Sequence, residues 1–192
     1  MKKVKILVAC LILSSPFFSC KKDPDKVAIP INPNEGELIT TVTLTFIEKE
    51  NPLNKVIAAF RDPDGDGPKG ITQWDTIRLD ANKTYDVEAL LLDETKTPLD
   101  TISNEVKEEG DGHQLFYIAS NPSLTITYAD KDENGVPIGL KTVFKTGNAA
   151  TGKDEVVKVL LKHQGKDKPK SGSGDINVGD TDINVTFPVI IK

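Results

Sequence analysis

The chain has 192 residues, of which 24 are Lys or Arg and 29 are Asp or Glu, so its formal net charge is −5. An acidic chain is repelled by phosphate backbones, which excludes nucleic acid as a partner. The only cysteines are Cys10 and Cys20. A domain formed by the remaining length must therefore be held by its apolar core rather than by disulfides.

The N-terminus has the three zones of a secretory signal peptide. Residues 1–5 are basic, residues 6–13 are apolar, and residues 14–19 lead into Cys20. The apolar run is much shorter than the ~20 residues that a helix needs to cross a bilayer. We therefore expect cleavage of this segment and no transmembrane helix in the mature protein.

The sequence Phe-Phe-Ser-Cys at positions 17–20 resembles the lipobox of bacterial lipoproteins, in the variant common in Bacteroidetes. The resemblance implies that signal peptidase II cuts before Cys20 and that the cysteine sulfur receives diacylglycerol. The lipid bilayer would then be a partner, through the acyl chains on Cys20.

The charged segment Lys21–Lys26 is similar to segments that direct Bacteroidetes lipoproteins to the outer face of the outer membrane. A solvated tether is the alternative reading, with the protein at the periplasmic face. The predicted organisation is a signal peptide at 1–19, a lipidated tether at 20–36 and one domain at 37–192.

Short runs of Val, Ile, Leu and Thr alternate with Gly, Pro, Asn and Asp along the rest of the chain. In many of these runs apolar and polar residues alternate, as in Val42, Leu44 and Phe46, which gives a strand one buried face and one wet face. We predict an all-β fold, an antiparallel Ig-like β-sandwich of about nine strands. The predicted strands are 38–48, 55–61, 75–80, 83–93, 113–119, 123–129, 138–146, 154–163 and 182–191, and we also consider a short strand near 98–102.

Two segments interrupt this pattern. Ser103–Glu109 has a helical composition, with Ser103 as the N-cap and Gly110 as the stop. Because it is polar almost all round, we expect an exposed turn of helix. Gly165–Gly174 is rich in Lys, Gly and Ser and is predicted to be a flexible loop, which makes it a weak candidate for a functional site.

The sequence DPDGDG at 62–67 is the sharpest candidate for a metal site. Asp62, Asp64 and Asp66 stand at alternate positions, so their carboxylates can converge on one calcium ion. The twelfth position, which supplies a bidentate Glu in an EF-hand, is Gln73, so a further ligand such as Asp75 is needed. A plain Asp/Gly/Pro turn is the alternative.

A second loop repeats this chemistry. Asp130, Asp132 and Asn134 stand at alternate positions and are also candidate calcium ligands. Lys131 dilutes the negative charge, and the twelfth position is Lys141, which cannot bind a cation. Duplicated turn chemistry explains this loop equally well.

The remaining polar residues suggest no catalytic constellation. His113 and His163 each stand at a predicted strand end, where a histidine is more often structural or solvent-facing than catalytic. Asp175 and Asp182 each begin a copy of Asp-Ile-Asn-Val, and Asp180 lies between the copies. These three residues can join a site only if their bend meets one of the two acidic loops. We therefore predict that the protein is not an enzyme.

Four aromatic residues could form a sugar-stacking platform or fill the core. We predict core positions for Phe60 and Tyr128 and leave Trp74 open, because it lies beside the first acidic loop. The fourth is Tyr117.

Segments starting at Glu37, Arg61 and Asp180 resemble a group of Bacteroidetes lipoproteins. The resemblance implies a location but no activity. Our leading hypothesis is a surface-anchored, calcium-stabilised binding or structural module whose partner is a glycan or an envelope protein. The alternative is a glycan-active enzyme, or an accessory subunit of a glycan-uptake system.

Overall fold

Alternating apolar side chains build two facing β-sheets, and the predicted all-β sandwich is confirmed. The structure is a computed structural model that describes residues 36–65, 67–149 and 155–192. All of these residues belong to one compact unit, Pro33–Lys192. Within them the strands are β1 (Thr41–Glu48), β2 (Lys55–Arg61), β3 (Gln73–Trp74), β4 (Ile77–Leu79), β5 (Thr84–Leu92), β6 (His113–Ala119), β7 (Leu124–Tyr128), β8 (Lys141–Thr146), β9 (Val156–His163) and β10 (Asp180–Ile191).

The predicted signal peptide and the lipidation site Cys20 lie outside the described residues, as does Asp66. The boundaries 1–19, 20–36 and 37–192 therefore stay predictions. In the part of the chain that the structure describes, no helix is both long and apolar enough to cross a bilayer.

One sheet has the strand order β3-β2-β1-β5-β8-β7, and the other has the order β4-β10-β9-β6. Neighbouring strands are antiparallel except for β4 and β10, which are parallel, so the antiparallel prediction is wrong for this pair. Parallel strands need a long connection, and these two strands are separated by most of the domain. The finer resemblance to Ig-like domains stays a prediction.

The inner faces of the two sheets form one apolar core. Its aromatic centre is Phe46, whose ring meets Phe144 edge-on at a centroid distance of 5.3 Å and Tyr85 at 6.4 Å. Burying one large apolar side chain contributes about 1.5–3 kcal/mol. The fully buried side chains around these rings include Val42, Leu44, Leu91, Leu115, Val159, Leu161 and Phe187.

Three of the other aromatic residues, Phe60, Tyr128 and Trp74, lie at the margins of the core. Phe60 is half-buried and packs against the core, while Tyr128 is half-buried. The Trp74 side chain is 56% exposed. Its indole N–H donates to the carbonyl oxygen of Thr186 at 2.9 Å, which ties β3 in one sheet to β10 in the other.

The helix differs from its prediction in position and burial. It spans Ile102–Glu108 with Thr101 at the N-cap, and it will be called α1. Ile102 and Val106 are both buried because residues four apart share one face of a helix, so the predicted exposed turn is wrong. Ser103 is not the cap; its hydroxyl accepts the Leu91 backbone N–H at 2.6 Å.

Two other local predictions are corrected. The segment near 98–102 forms only an isolated bridge between Asp93 and Asp100, not a strand. The two-residue strand β3 was not predicted, because it is too short to show alternation.

The segment predicted to be a flexible loop contains a 3-10 turn at Gly165–Asp167, followed by the fully buried Lys168. The Lys168 ammonium lies 2.9 Å from the carboxylate of Asp132. It also donates to the carbonyl oxygens of Gly110 at 2.6 Å and Pro137 at 3.1 Å. A buried charge is tolerated only when it is paired in this way. Lys168 therefore fastens three loops together at one point.

Replacing Lys168 by alanine should destabilise the domain by about 3 kcal/mol, because Asp132 would remain buried without a counter-ion. Urea unfolding measures the change, and the exposed Lys170→Ala is the matched control. Equal stability of the two variants would contradict a structural role for the ion pair.

Candidate metal centre

Two histidines meet at one end of the sandwich. His113 is the first residue of β6, His163 is the last residue of β9, and the two are direct register partners. Cross-strand partners project from the same face of a sheet. Their rings lie 4.5 Å apart between centroids, with an angle of 33° between the planes. Since Leu115 and Leu161, two residues along each strand, are buried, both rings are on the inner face.

Asp182 reaches this pair through an irregularity in β10. Thr181 pairs with Lys162 and Ile183 pairs with Leu161, so Asp182 is an extra residue in the ladder. A bulge of this kind redirects a side chain and is common next to functional sites. It explains how Asp182 comes to face the histidines.

Gly179 allows β10 to begin close to the end of β9. It has a positive φ of 77°. A Cβ atom at this position would overlap the carbonyl oxygen of His163. Only glycine fits this approach without strain, and the approach brings the start of β10 to the His163 side chain.

One potential ligand atom from each of His113, His163 and Asp182 lies within 4.8 Å of the other two. Two imidazoles and a carboxylate form a donor set that suits zinc, copper, nickel or non-haem iron. The three residues lie on three neighbouring strands, so the sheet holds them in place without metal. The described chain therefore contains a preformed candidate metal centre.

The His113 ring has one nitrogen engaged and one free. Nδ1 lies 3.2 Å from the carbonyl oxygen of Glu109. Because a carbonyl can only accept, Nδ1 carries the proton and Nε2 has the lone pair that a metal needs. Nε2 is buried and has no hydrogen-bond partner. Burial also lowers the pKa of His113, which favours the neutral, ligating form.

Asp182 has a half-buried side chain whose two carboxylate oxygens are both buried and without a hydrogen-bond partner. The backbone N–H of Glu37 faces the group without reaching hydrogen-bond geometry. Burial raises the pKa of Asp182 to about 6. A buried carboxylate without hydrogen bonds destabilises the folded state, and a bound cation would reduce this destabilisation.

Further carboxyl groups surround the centre. Glu37 and Glu105 hydrogen-bond to each other, which requires a proton on one of them. Burial and the charge of Glu37 raise the pKa of Glu105 to about 7. A carboxylate oxygen of Glu109 lies 3.9 Å from Nδ1 of His113. The centre is therefore in an acidic environment.

The first acidic loop keeps unpartnered oxygens. Oδ1 of Asp62 and Oδ1 of Asp64 are buried without hydrogen-bond partners. Oδ2 of Asp64 accepts the backbone N–H of Lys69 at 3.1 Å. Asp75 is engaged elsewhere, since its Oδ2 accepts the backbone N–H of Ala59 at 2.9 Å. Calcium binding at this loop stays a prediction, and Asp66 lies outside the described residues.

The carboxylates of the second acidic loop are occupied by the protein. Asp130 accepts the backbone N–H groups of Gly139 at 2.8 Å and Lys141 at 2.9 Å. One oxygen of Asp132 accepts two backbone N–H groups, including that of Asn134 at 2.9 Å, and the other faces Lys168. Asn134 itself is exposed. These contacts favour the structural turn, and calcium binding at this loop stays a prediction.

The C-terminal repeat does not form two strands. In its first copy Asp175 accepts the backbone N–H of Asn177 at 2.9 Å, which makes a local turn. The second copy lies in β10, where Asp182 joins the histidines. Sequence reasoning missed this cluster because its members are far apart in the chain. The available signal was period-two spacing along the strands. His113 lies two residues before Leu115 and His163 two residues after Leu161, so each histidine shares a strand face with an apolar residue.

Comparisons with known proteins assign no function to the chain. No protein-family model, no curated protein and no solved structure matches it. The function therefore has to be argued from the geometry of the described residues.

The metal-free protein should lose stability as pH rises from about 4 to 6. The ordinary pKa of Asp182 is 3.8 and its folded value is about 6, so the folded state binds more protons in this window. Stability from this group is fully present below pH ~4 and is lost as the pH passes through its folded pKa.

Asp182→Asn should remove this loss and raise the melting temperature of the chelator-treated protein at pH 7 by a few degrees, with little effect at pH 4. Thermal melts across the pH range measure the difference, with the exposed Asp111→Asn as control. Part of the slope should persist, because the pKa of Glu105 is raised to about 7. A variant less stable than wild type at pH 7 would contradict the assignment.

Proposed function

We propose that the protein is an exported lipoprotein whose sandwich domain binds a divalent transition-metal ion through His113, His163 and Asp182. The observation that carries the proposal is a preformed set of three donors within 4.8 Å of one another. Buried atoms in this set, Nε2 of His113 and both oxygens of Asp182, have no hydrogen-bond partner in the protein. Buried polar atoms without partners are rare and need a reason.

The donor types select the class of metal. Imidazole nitrogen suits zinc and the other late first-row ions, whereas calcium takes oxygen ligands only. Ligand atoms on one tetrahedral zinc lie roughly 3.3 Å apart, given bond lengths of about 2.0 Å. The present separations of up to 4.8 Å require only a small contraction, which side-chain rotation can supply.

We propose a binding role for the whole protein. The anchor proposed at Cys20 would hold the domain at a membrane, at the outer-membrane surface or at its periplasmic face. A glycan or an envelope protein remains the proposed macromolecular partner. The feature that supports glycan contact is Trp74, whose indole is 56% exposed and is held by its bond to Thr186.

Calcium at the first acidic loop is a second candidate function. It is favoured by the buried, unpartnered oxygens of Asp62 and Asp64. Calcium binding there should disappear in Asp64→Ala and persist in His163→Gln, whereas zinc binding should show the opposite pattern. Calorimetry with each ion separates the two sites.

Zinc binding should be lost or weakened at least about 100-fold in His163→Gln and in Asp182→Asn, because each removes one of three ligands. Calorimetric titration measures the affinity, and zinc should raise the melting temperature of the wild type by linkage. The titrations use a chain in which both cysteines are replaced by serine, so that no thiolate binds metal. Asp111→Asn, an exposed carboxylate near His113, is the matched control. Unchanged zinc affinity in His163→Gln would refute the centre.

Lipid attachment should depend on Cys20 and not on Cys10. Metabolic labelling with a radioactive or clickable fatty acid should mark the wild type and Cys10→Ser, whereas Cys20→Ser should remain unlabelled and leave the membrane fraction. Labelled Cys20→Ser protein would show that the anchor lies elsewhere or that the lipobox resemblance is misleading.

A further inference from the structure

The candidate centre has fewer protein ligands than a closed metal site. Structural zinc sites use four protein ligands, whereas sites with three keep a position for an exogenous ligand. Among the described residues the cluster has three members, His113, His163 and Asp182. An ion bound by them would therefore have at least one position left over.

The burial of the three residues shows where that position lies. His113 is fully buried, so the ion cannot be approached from its side. His163 and Asp182 are half-buried and lie at the end of the sandwich. Gly36 packs directly over Asp182, since a Cβ atom there would lie 2.8 Å from Oδ1. The open position thus faces outwards between the end of β9 and the start of β10, beside Gly36 and Glu37.

Glu37 is a further carboxyl group whose pKa is raised by burial and by the charge of Asp182, but it already has a partner. Its side chain shares a hydrogen bond with the side chain of Glu105. Leaving that partner to bind the metal would break the hydrogen bond and free a half-buried carboxyl group. Glu37 is therefore a neighbour of the open position and not the fourth ligand.

The charges around the centre favour one class of incoming ligand. Glu37, Glu109 and Asp180 contribute negative charge near the cluster. Lys162 is the opposing cation, while Lys168 is neutralised by Asp132. The positive charge of a divalent ion is balanced first by Asp182 and then by these carboxylates. An incoming anion would meet net repulsion, and a neutral donor would not.

We propose that the bound ion keeps an exchangeable coordination position that takes a neutral nitrogen donor of the imidazole class in preference to an anion. The inference rests on the proposed metal-binding function and assigns the class of ligand that this function serves. An imidazole can come from a small molecule or from a histidine side chain of a protein partner. Both sources share one chemistry at the metal, and suitable probes separate them.

The test uses cobalt(II), whose visible absorption reports the number and type of ligands, in the chain with both cysteines replaced by serine. Addition of imidazole should shift the cobalt spectrum saturably, and azide should bind at least about tenfold more weakly. Metal content is measured after each addition, so that stripping of cobalt is not mistaken for binding. A neutral histidine-containing peptide is the third probe, and tighter binding of this peptide than of free imidazole points to a protein partner.

Variants separate the electrostatic argument from simple coordination. Glu37→Gln combined with Glu105→Gln should leave the cobalt spectrum unchanged and reduce the preference for imidazole over azide. His163→Gln should abolish the cobalt spectrum, while Asp111→Asn should behave as wild type.

Each contrary outcome has a distinct meaning. Failure of cobalt to bind would overturn the metal centre, and this inference with it. Cobalt that binds but does not respond to imidazole would overturn the open position alone. Azide binding as tight as imidazole would overturn the ligand preference, and a cobalt spectrum altered in Glu37→Gln without added ligand would make Glu37 the fourth ligand.

Discussion

The register of β9 is the constraint on which the candidate centre depends. This strand pairs with β6 on one side and β10 on the other, and its inner face carries Val157, Val159 and Leu161 into the core. Side chains in a strand alternate with a period of two, so burying these three residues also points His163 inwards. A slip of one residue would expose the apolar set and turn the histidine to the outer face. Core packing therefore holds the ligand geometry.

The buried carboxylates of Asp132 and Asp182 have different surroundings. Asp132 is satisfied by backbone N–H groups and by Lys168, and the result is a structural joint. Asp182 has buried oxygens with no partner, although Lys162 lies close enough for its charge to act on it. The first arrangement stabilises the fold. The second destabilises the fold locally, and proteins retain such destabilisation at functional sites. This difference is the reason for assigning a metal to Asp182 rather than to Asp132.

The local predictions that were wrong share one cause, which is contact with distant parts of the chain. The helix is buried because β5 lies against Ile102 and Val106, and Ser103 is used to bond Leu91 instead of capping. Lys168 is buried because the loops at Gly110 and Pro137 supply carbonyl oxygens. None of these contacts is visible in a window of neighbouring residues. The short parallel pairing of β4 with β10 is also a contact between segments far apart in the chain.

The sequence by itself determined the class of the fold and most of its strands, because period-two alternation and turn residues act locally. Residues 55–61 and 113–119 were placed at their observed bounds on this basis. The sequence alone also supplies the lipobox resemblance at Cys20, which the described residues do not test. Only the tertiary structure decided which polar residues meet. The pairing of β6 with β9 and the bulge in β10 bring together His113, His163 and Asp182, and no spacing rule connects side chains on three separate strands. The acidic loops were conspicuous because their residues are adjacent in the chain, whereas the candidate centre depends on strand register, which alternation along one strand does not reveal.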